Sequence, residues 1–311
     1  MDGVLIIDKP EGLTSHDVVS AARRLLSEKR IGHTGTLDPL ATGVLPLACG
    51  RATRLVRFLT ASDKDYEATV LFGVTTDTLD VTGEETSRTG RTPSSADLVA
   101  AMRAFEGEQM QVPPAYSAKK VGGRRAYEFA RRDEPVELAA VPVRISTIAV
   151  LEYGNPSTSL GASARISLTC SAGFYVRALV RDLGERLGCG ATLEALRRTR
   201  SGDFTLDEAV DLDNLGPIRD RTNPESRIPN PGLETVLIPL ERLLPAFPAV
   251  TVTSEGLTRV SHGQHVRPVD MASGATGKSE WVKLLDAGGA LVGLATPQPV
   301  SGFLHPEVVL I

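Results

Sequence analysis

One stretch limits what this chain can become: Gly32-His33-Thr34-Gly35-Thr36-Leu37-Asp38-Pro39-Leu40-Ala41-Thr42-Gly43-Val44-Leu45-Pro46. Three glycines, two prolines and three threonines surround a single carboxylate. Glycine loosens the backbone and proline fixes it, so the stretch favours a shaped loop over helix or strand. Leu37, Leu40, Val44 and Leu45 would be wasted on a solvated loop. The loop is therefore expected to fold down on a core and carry Asp38 to a place where burial and nearby donors tune it. Read alone, an Asp-Pro pair merely starts a turn.

Around this loop the apolar pattern alternates between strand and helix. Val4–Ile7 reads as a buried strand stopped by Asp8, Pro10 and Gly12. Thr14 with Asp17 resembles a capping box for a helix over about Ser15–Ser27, with Val18, Val19, Ala22, Leu25 and Leu26 on its apolar face. Lys29 and Arg30 beyond it fit a solvated helix end or phosphate contacts equally well. Gly43–Ala48 and Tyr66–Phe72 read as strands, and Ala52–Leu59 as a helix whose Arg51, Arg54 and Arg57 form a solvated face. A helix starts after Thr92–Ser95, with Leu98, Val99, Met102 and Phe105 on one stripe. Val141–Leu151 and Ala164–Cys170 read as strands joined by a surface connection at Gly154–Ser159. Phe174–Leu187 reads as a helix with Val176, Leu179, Val180 and Leu183 inward. Arg177 in its first turn opposes the helix dipole and calls for a carboxylate or phosphate, whereas Arg181 and Glu185 read as an i,i+4 surface pair.

Charge narrows the classes of function. The net charge of −4 does not favour nucleic acid, so any phosphate binding has to be local. The most basic window is Pro113–Arg132, where Lys119, Lys120, Arg124, Arg125, Arg131 and Arg132 face only Glu128, around Gly122-Gly123 and interleaved with Tyr116 and Tyr127. It suits a hinged arm closing on RNA, or a solvated loop and helix. Cys49, Cys170 and Cys189 have neither disulfide nor zinc spacing, and His262, His265 and His305 lack cysteines or paired carboxylates at ligand spacing. No apolar run reaches the ~18 residues of a membrane span. A soluble, cytoplasmic protein is expected. The polar, proline-punctuated run Asp211–Asn230 reads as a mobile insertion leading to a connecting helix, followed from about Phe247 by a small module with strands at Val250–Val252, Trp281–Leu285, Leu291–Ala295 and Val308–Ile311.

The central stretch resembles the catalytic loop, GHxGxLDPxAxG, of the TruB-type tRNA pseudouridine-55 synthases. Lys9-Pro10-Glu11-Gly12-Leu13-Thr14-Ser15 is similar to their KPxGxTS, Lys64–Ala68 to the segment bearing an active-site tyrosine, Thr76–Gly83 to TDTxDxxG, and Gly173-Phe174-Tyr175-Val176-Arg177 to GxYxR. The resemblance covers most of Val4 to about Leu206. It implies an α+β fold: a pseudouridine-synthase catalytic domain over 1–245 with a mixed, largely antiparallel β-sheet flanked by helices, and a small C-terminal β-rich PUA-like domain over 246–311.

The resemblance also implies roles. Asp38 would be catalytic, Arg177 its partner, and Tyr66 the residue that stacks on the uracil and relays a proton. His33, Tyr175 and Leu196 would contact substrate, and Lys119, Lys120, Arg124 and Arg125 would lie in a basic RNA-gripping insertion at about 113–140. Arg197, Arg198 and Arg200 would add phosphate contacts, while Lys9 would support the loop. His33 either attends the space left by the flipped base or fixes the loop. The implied activity is isomerisation of a uridine in the tRNA T-arm loop, U55, by a stand-alone monomer without metal, organic cofactor, guide RNA or membrane. The base must be extruded. Whether Asp38 attacks C1′, attacks C6 or removes the 2′ proton stays open. Two other classes compete: a glycoside hydrolase pairing Asp38 with Asp77 or Asp80, which would need an activated water, and a non-catalytic RNA-binding protein in which Asp38 is structural.

Overall fold

A computed structural model describes residues 1–117, 119–130, 132, 134, 136–154, 162–212, 218–219, 227–228, 236–298 and 302–311. Residues 155–159 of the surface connection, Arg131 and most of the 211–230 run lie outside the described residues, and of the connecting segment expected as a helix the described part, 236–246, holds a 3-10 turn, Leu240–Arg242.

The larger sheet has ten strands. Its main path runs Val210–Asp211, Gly3–Lys9, Thr42–Cys49, Ala191–Ser201, Lys64–Phe72, Ser163–Cys170, Val141–Gly154, Gly107–Gln111, with Ile31–His33 on Thr42–Cys49 and Phe204–Thr205 on Ala191–Ser201. Only the pairings of Gly3–Lys9 with Val210–Asp211 and of Thr42–Cys49 with Ala191–Ser201 are parallel, so the sheet is mixed and largely antiparallel. The unbroken apolar run at Val4–Ile7 has a simple cause: Leu5 and Ile7 face one core while Val4 and Ile6 face another.

The first core lies beneath the helices Ser15–Leu26, Ser95–Arg103 and Val176–Arg186. Thr14 and Asp17 close the expected capping box. The segment read as one helix over Ala52–Leu59 is a 3-10 turn, Gly50–Leu55, followed by a short α-helix, Val56–Thr60. Gly50 opens that turn at φ +57°, where a Cβ would strike the Met1 carbonyl, so this position admits only glycine.

The second core joins the sheet to the C-terminal module: Ala52, Leu55 and Leu59 meet Leu291, Leu294, Val308 and Leu310. The arginines read as a solvated face are exposed at Arg54 and Arg57 and partly exposed at Arg51, and they also fasten this junction. Arg51 donates to the Leu310 carbonyl, Arg54 donates to that of Val309, and Arg57 covers the rings of Phe58 and Trp281 at 4.7 and 5.1 Å. The module is a five-stranded sheet ordered Met271–Gly274, Ala249–Val252, Val282–Leu285, Leu291–Pro297, Leu304–Val309. Its last strand starts earlier than the expected Val308, because Pro306 sits on an edge strand that tolerates a missing N–H. The helix Ser254–Ser261, N-capped by Thr253, and the strand Met271–Gly274 are both unanticipated by the sequence reading.

Candidate active site

The loop between the strands Ile31–His33 and Thr42–Cys49 is fixed from several sides. Ser15 Oγ accepts from the Leu37 amide at 2.8 Å and contacts the Leu37 carbonyl at 3.1 Å, so the start of one helix grips the residue next to Asp38. Leu37 and Ala41 are buried in the first core, as the loop's apolar content requires. Lys9, fully buried, donates to the carbonyls of Pro10, Leu13 and Pro39 at 2.8, 2.7 and 3.3 Å. Burial brings its ammonium down to about 8. Lys9 is thus a loop support. Gly43 has φ +98°, and a Cβ there would lie 2.2 Å from the Arg198 carbonyl.

Arg177 finds the partner its position demanded. Its Nε donates to Asp38 Oδ2 at 2.8 Å, Nη1 to the Thr78 carbonyl at 2.9 Å, and Nη2 to the Tyr116 carbonyl at 2.8 Å. Asp80 Oδ2 stands 3.7 Å from Nη1. The arginine side chain is 6 % exposed while that of Asp38 is 37 % exposed, so a buried cation holds an accessible carboxylate. Asp80 is itself buried and occupied by Thr78 Oγ1, the Thr82 amide and Thr82 Oγ1. With Oδ1 taken by these donors and Oδ2 turned toward Arg177, Asp80 serves to hold the turn and the arginine.

Asp38 borders two cavities. The first, about 250 Å³, is lined by Tyr66, Phe174, Tyr175, Val176, Leu196, Lys64 and Arg198 together with Asp38 and Arg177. Burial pushes the Tyr66 hydroxyl up, against an opposing hydrogen bond from Arg198, and burial likewise pushes up the Tyr175 hydroxyl. Gln111 holds Tyr175 by its backbone, donating to the carbonyl at 3.1 Å and accepting from the amide at 2.8 Å. The second cavity, about 510 Å³, contains His33, His16, Tyr116 and Tyr127 on the other side of Asp38. The fold thus brings Tyr66, Tyr175, Leu196 and Arg177 together at Asp38 and places His33 next door.

Two family domains match most of the chain: residues 23–176 match the TruB family pseudouridylate synthase N-terminal domain, and residues 177–245 the tRNA pseudouridylate synthase B C-terminal domain. Proteins named tRNA pseudouridine synthase B from Solibacter usitatus and Burkholderia mallei are 42 % and 40 % identical to the chain, covering all of it and 100 % and 97 % of themselves. The chain belongs to the TruB family of pseudouridylate synthases. Such enzymes are isomerases. Among solved structures, the chain resembles one titled as a Cbf5-Nop10-Gar1 complex at TM-score 0.74 and 26 % identity, covering 100 % of this chain and 85 % of that one. It also resembles an H/ACA ribonucleoprotein bound to a substrate RNA, at TM-score 0.72 and 25 % identity, covering 99 % and 85 %.

Within this TruB frame, the sequence readings of Arg198 and Arg181 need correction. Arg198 makes no phosphate contact: it is 1 % exposed and donates to the carbonyls of Val44, Gly35 and Thr36 at 2.7, 3.1 and 3.4 Å, tying the Asp38 loop to the strand Ala191–Ser201. Arg197 and Arg200 pair with Asp8 and Asp65, each at 2.7 Å. Arg181 pairs with Asp182 and reaches the Val112 carbonyl instead of meeting Glu185. In the basic window, Lys119 is exposed, while Arg124 lies 4.3 Å above the Phe129 ring and 3.7 Å from Glu128. The backbones of Lys120 and Arg125 pair in a small hairpin, and their side chains lie outside the described residues. Lys64 and Ser15 are missed by the sequence reading, which gives Arg198 to phosphate and not to the Asp38 loop. The alternation Leu196–Arg198 along one strand would have placed that arginine inward with the leucine.

Proposed function

We propose that this TruB-family isomerase is a stand-alone tRNA pseudouridine synthase acting on uridine 55 of the T-arm loop, with residues 1–245 as its catalytic part and 246–311 as a PUA-like RNA-contacting module. The observation that carries the reading is Asp38 held by buried Arg177 at the mouth of a cavity of about 250 Å³ containing Tyr66 and Leu196. Support for a free-standing enzyme comes from full-length relatives named for tRNA at 40–42 % identity, against 25–26 % for structures titled as multi-protein or RNA-bearing complexes.

The target uridine flips out of its stack into the Asp38 cavity, at a cost of a few kcal/mol that contacts there offset. Tyr66 lies against the ring and Leu196 closes its edge; His33, in the adjoining cavity, attends the RNA around the emptied position. Asp38, aimed by Arg177, acts at the ribose or the base as C1′–N1 breaks. The ring turns, C5 bonds to C1′, the C5 proton leaves and N1 regains one. The buried Tyr66 hydroxyl is placed to relay that proton. Water, metal and oxidant have no part in the sum of these steps. Lys120, Arg124 and Arg125 lie on the small hairpin, with Lys119 just before it and the short helix Ala126–Ala130 just after, and this segment would close over the RNA stem.

The test incubates unmodified tRNA transcript with the protein and with Asp38→Asn, without guide RNA or added metal, and maps pseudouridine by carbodiimide-primer extension. A T-loop signal that disappears in a variant still binding tRNA is expected. Equal signals from both proteins would remove Asp38 from the chemistry. Free uracil would point to hydrolysis, and no signal from either protein would overturn the reading.

A further inference from the structure

The Asp38 cavity holds more positive charge than its carboxylate answers. Lys64, 6 % exposed, donates from Nζ to the Thr60 carbonyl at 2.6 Å and to that of Ser62, which leaves one of its three protons. Arg198 beside it is bound by backbone carbonyls and by the Tyr66 hydroxyl. Among the described residues neither cation is ion-paired, and Asp38, the one carboxylate lining the cavity, is taken by Arg177. Buried cations without counter-charge are costly, and carbonyl dipoles offset that cost only in part. A cavity built this way is preorganised for an anion, yet a bound uridine ring is neutral.

The anion arises during the reaction. When C1′–N1 breaks heterolytically, the electron pair departs with the ring and spreads from N1 onto O2 and O4. We propose that Lys64, backed by Arg198, is the group that stabilises this uracil anion, its remaining proton bonding a ring carbonyl oxygen. The charge is discharged when C5 bonds to C1′, the C5 proton leaves and N1 is protonated, so lysine begins and ends the cycle as an ammonium. The inference rests on the pseudouridine-synthase reading of the site and adds to it an electrostatic hole in the wall that Lys64 and Arg198 give the cavity. Burial and the nearby Arg198 guanidinium bring the Lys64 ammonium down to about 8, which keeps it protonated at neutral pH and makes it a strong hydrogen-bond donor.

The test is single-turnover kinetics on tRNA transcript with excess enzyme. Lys64→Met should lose roughly 100- to 1,000-fold in rate, the effect of one lost oxyanion donor, with tRNA affinity within about twofold of wild type. A loss below about threefold, or a fall in affinity as large as the fall in rate, would overturn the proposal and leave Lys64 as a brace for the Thr60–Ser62 turn. Two measurements do not depend on that variant folding. Replacing O2 or O4 of the target uridine with sulfur should slow the wild type at one of the two positions; no slowing at either counts against the contact. The wild-type rate should also be level below about pH 8 and fall above it as Lys64 loses its proton. The groups around Lys64 are Arg198, Asp63 and Cys170, with the thiol pushed up to about 12, Tyr66 lines the same cavity, and Lys9, brought down to about 8, also feels Arg198. Lys64→Arg should therefore carry the falling limb to higher pH; a limb that stays in place belongs to Lys9 or the RNA and overturns the assignment. A wild type that makes no pseudouridine would fell the parent reading, whereas an active wild type with an unaffected Lys64→Met would fell only this one.

Discussion

Two regions of this molecule are rich in cations and use them in opposite ways. Around Asp38, Arg177, Arg198, Lys64 and Lys9 are all buried, and their hydrogen bonds go chiefly to backbone carbonyls and to Asp38. Between Ser117 and Glu134 the basic residues are denser in sequence, yet Lys119 is exposed and Arg124 is engaged by Glu128 and Phe129. A buried guanidinium has one geometry and a large energetic stake in it, whereas a solvated one gains little from any single partner. Charge density along the chain therefore marks where cations are cheap. The sheet decides where they are decisive, and the two regions should respond very differently to mutation.

The comparison breaks first at Arg177. Replacing it with lysine keeps the charge but loses the fork that reaches Asp38, Thr78 and Tyr116 together. The single-turnover rate should fall roughly 100- to 1,000-fold with tRNA affinity little changed. A variant within tenfold of wild type would show that Asp38 needs a nearby charge and not a fixed geometry.

The second test separates the cations from the backbone that receives them. Gly43→Ala places a methyl 2.2 Å from the Arg198 carbonyl at a φ of +98°. Strain and overpacking together should cost about 2–3 kcal/mol, read as a lower denaturant midpoint at unchanged slope. Activity measured well below that midpoint should fall as well, because the same backbone positions the Asp38 loop. Unchanged stability would mean that the parallel pairing of Thr42–Gly43 with Arg197–Arg198 is softer than its geometry implies.

The same contrast explains what could be read in advance. The Asp38 loop, the Thr14–Asp17 capping box and the helix carrying Arg177 announce themselves locally, through glycine and proline placement, a three-residue offset and a 3.6-residue period. Arg198, Arg51, Arg54 and Arg57 do not, because an arginine's partners are settled by what the chain brings to it from far away. Arg198 lies more than 150 residues from the carbonyl of Val44 that holds it, and Arg51 and Arg54 reach across to the last strand of the C-terminal module. Read as residue types, all four looked like surface cations. Burial also explains the misread end of the chain: Pro306 disguises a strand that begins at Leu304, where an edge position makes proline harmless.

The smallest expected effect lies within the basic window and divides it. Lys119→Ala removes an exposed ammonium, so tRNA binding should weaken by a few-fold and the dependence of log Kd on log salt should lose about one contact's worth of slope. Arg124→Ala removes a guanidinium already committed to Phe129 and Glu128. Its salt slope should stay near that of wild type, because the charge it presents to phosphate is partly answered by Glu128 before RNA arrives. If the two variants instead lose equal slope, Arg124 leaves Glu128 on binding, and the window acts as one pool of mobile charge. If neither changes the slope, the RNA is held by other residues, and the basic window joins the surface cations whose density in the sequence carries no functional weight.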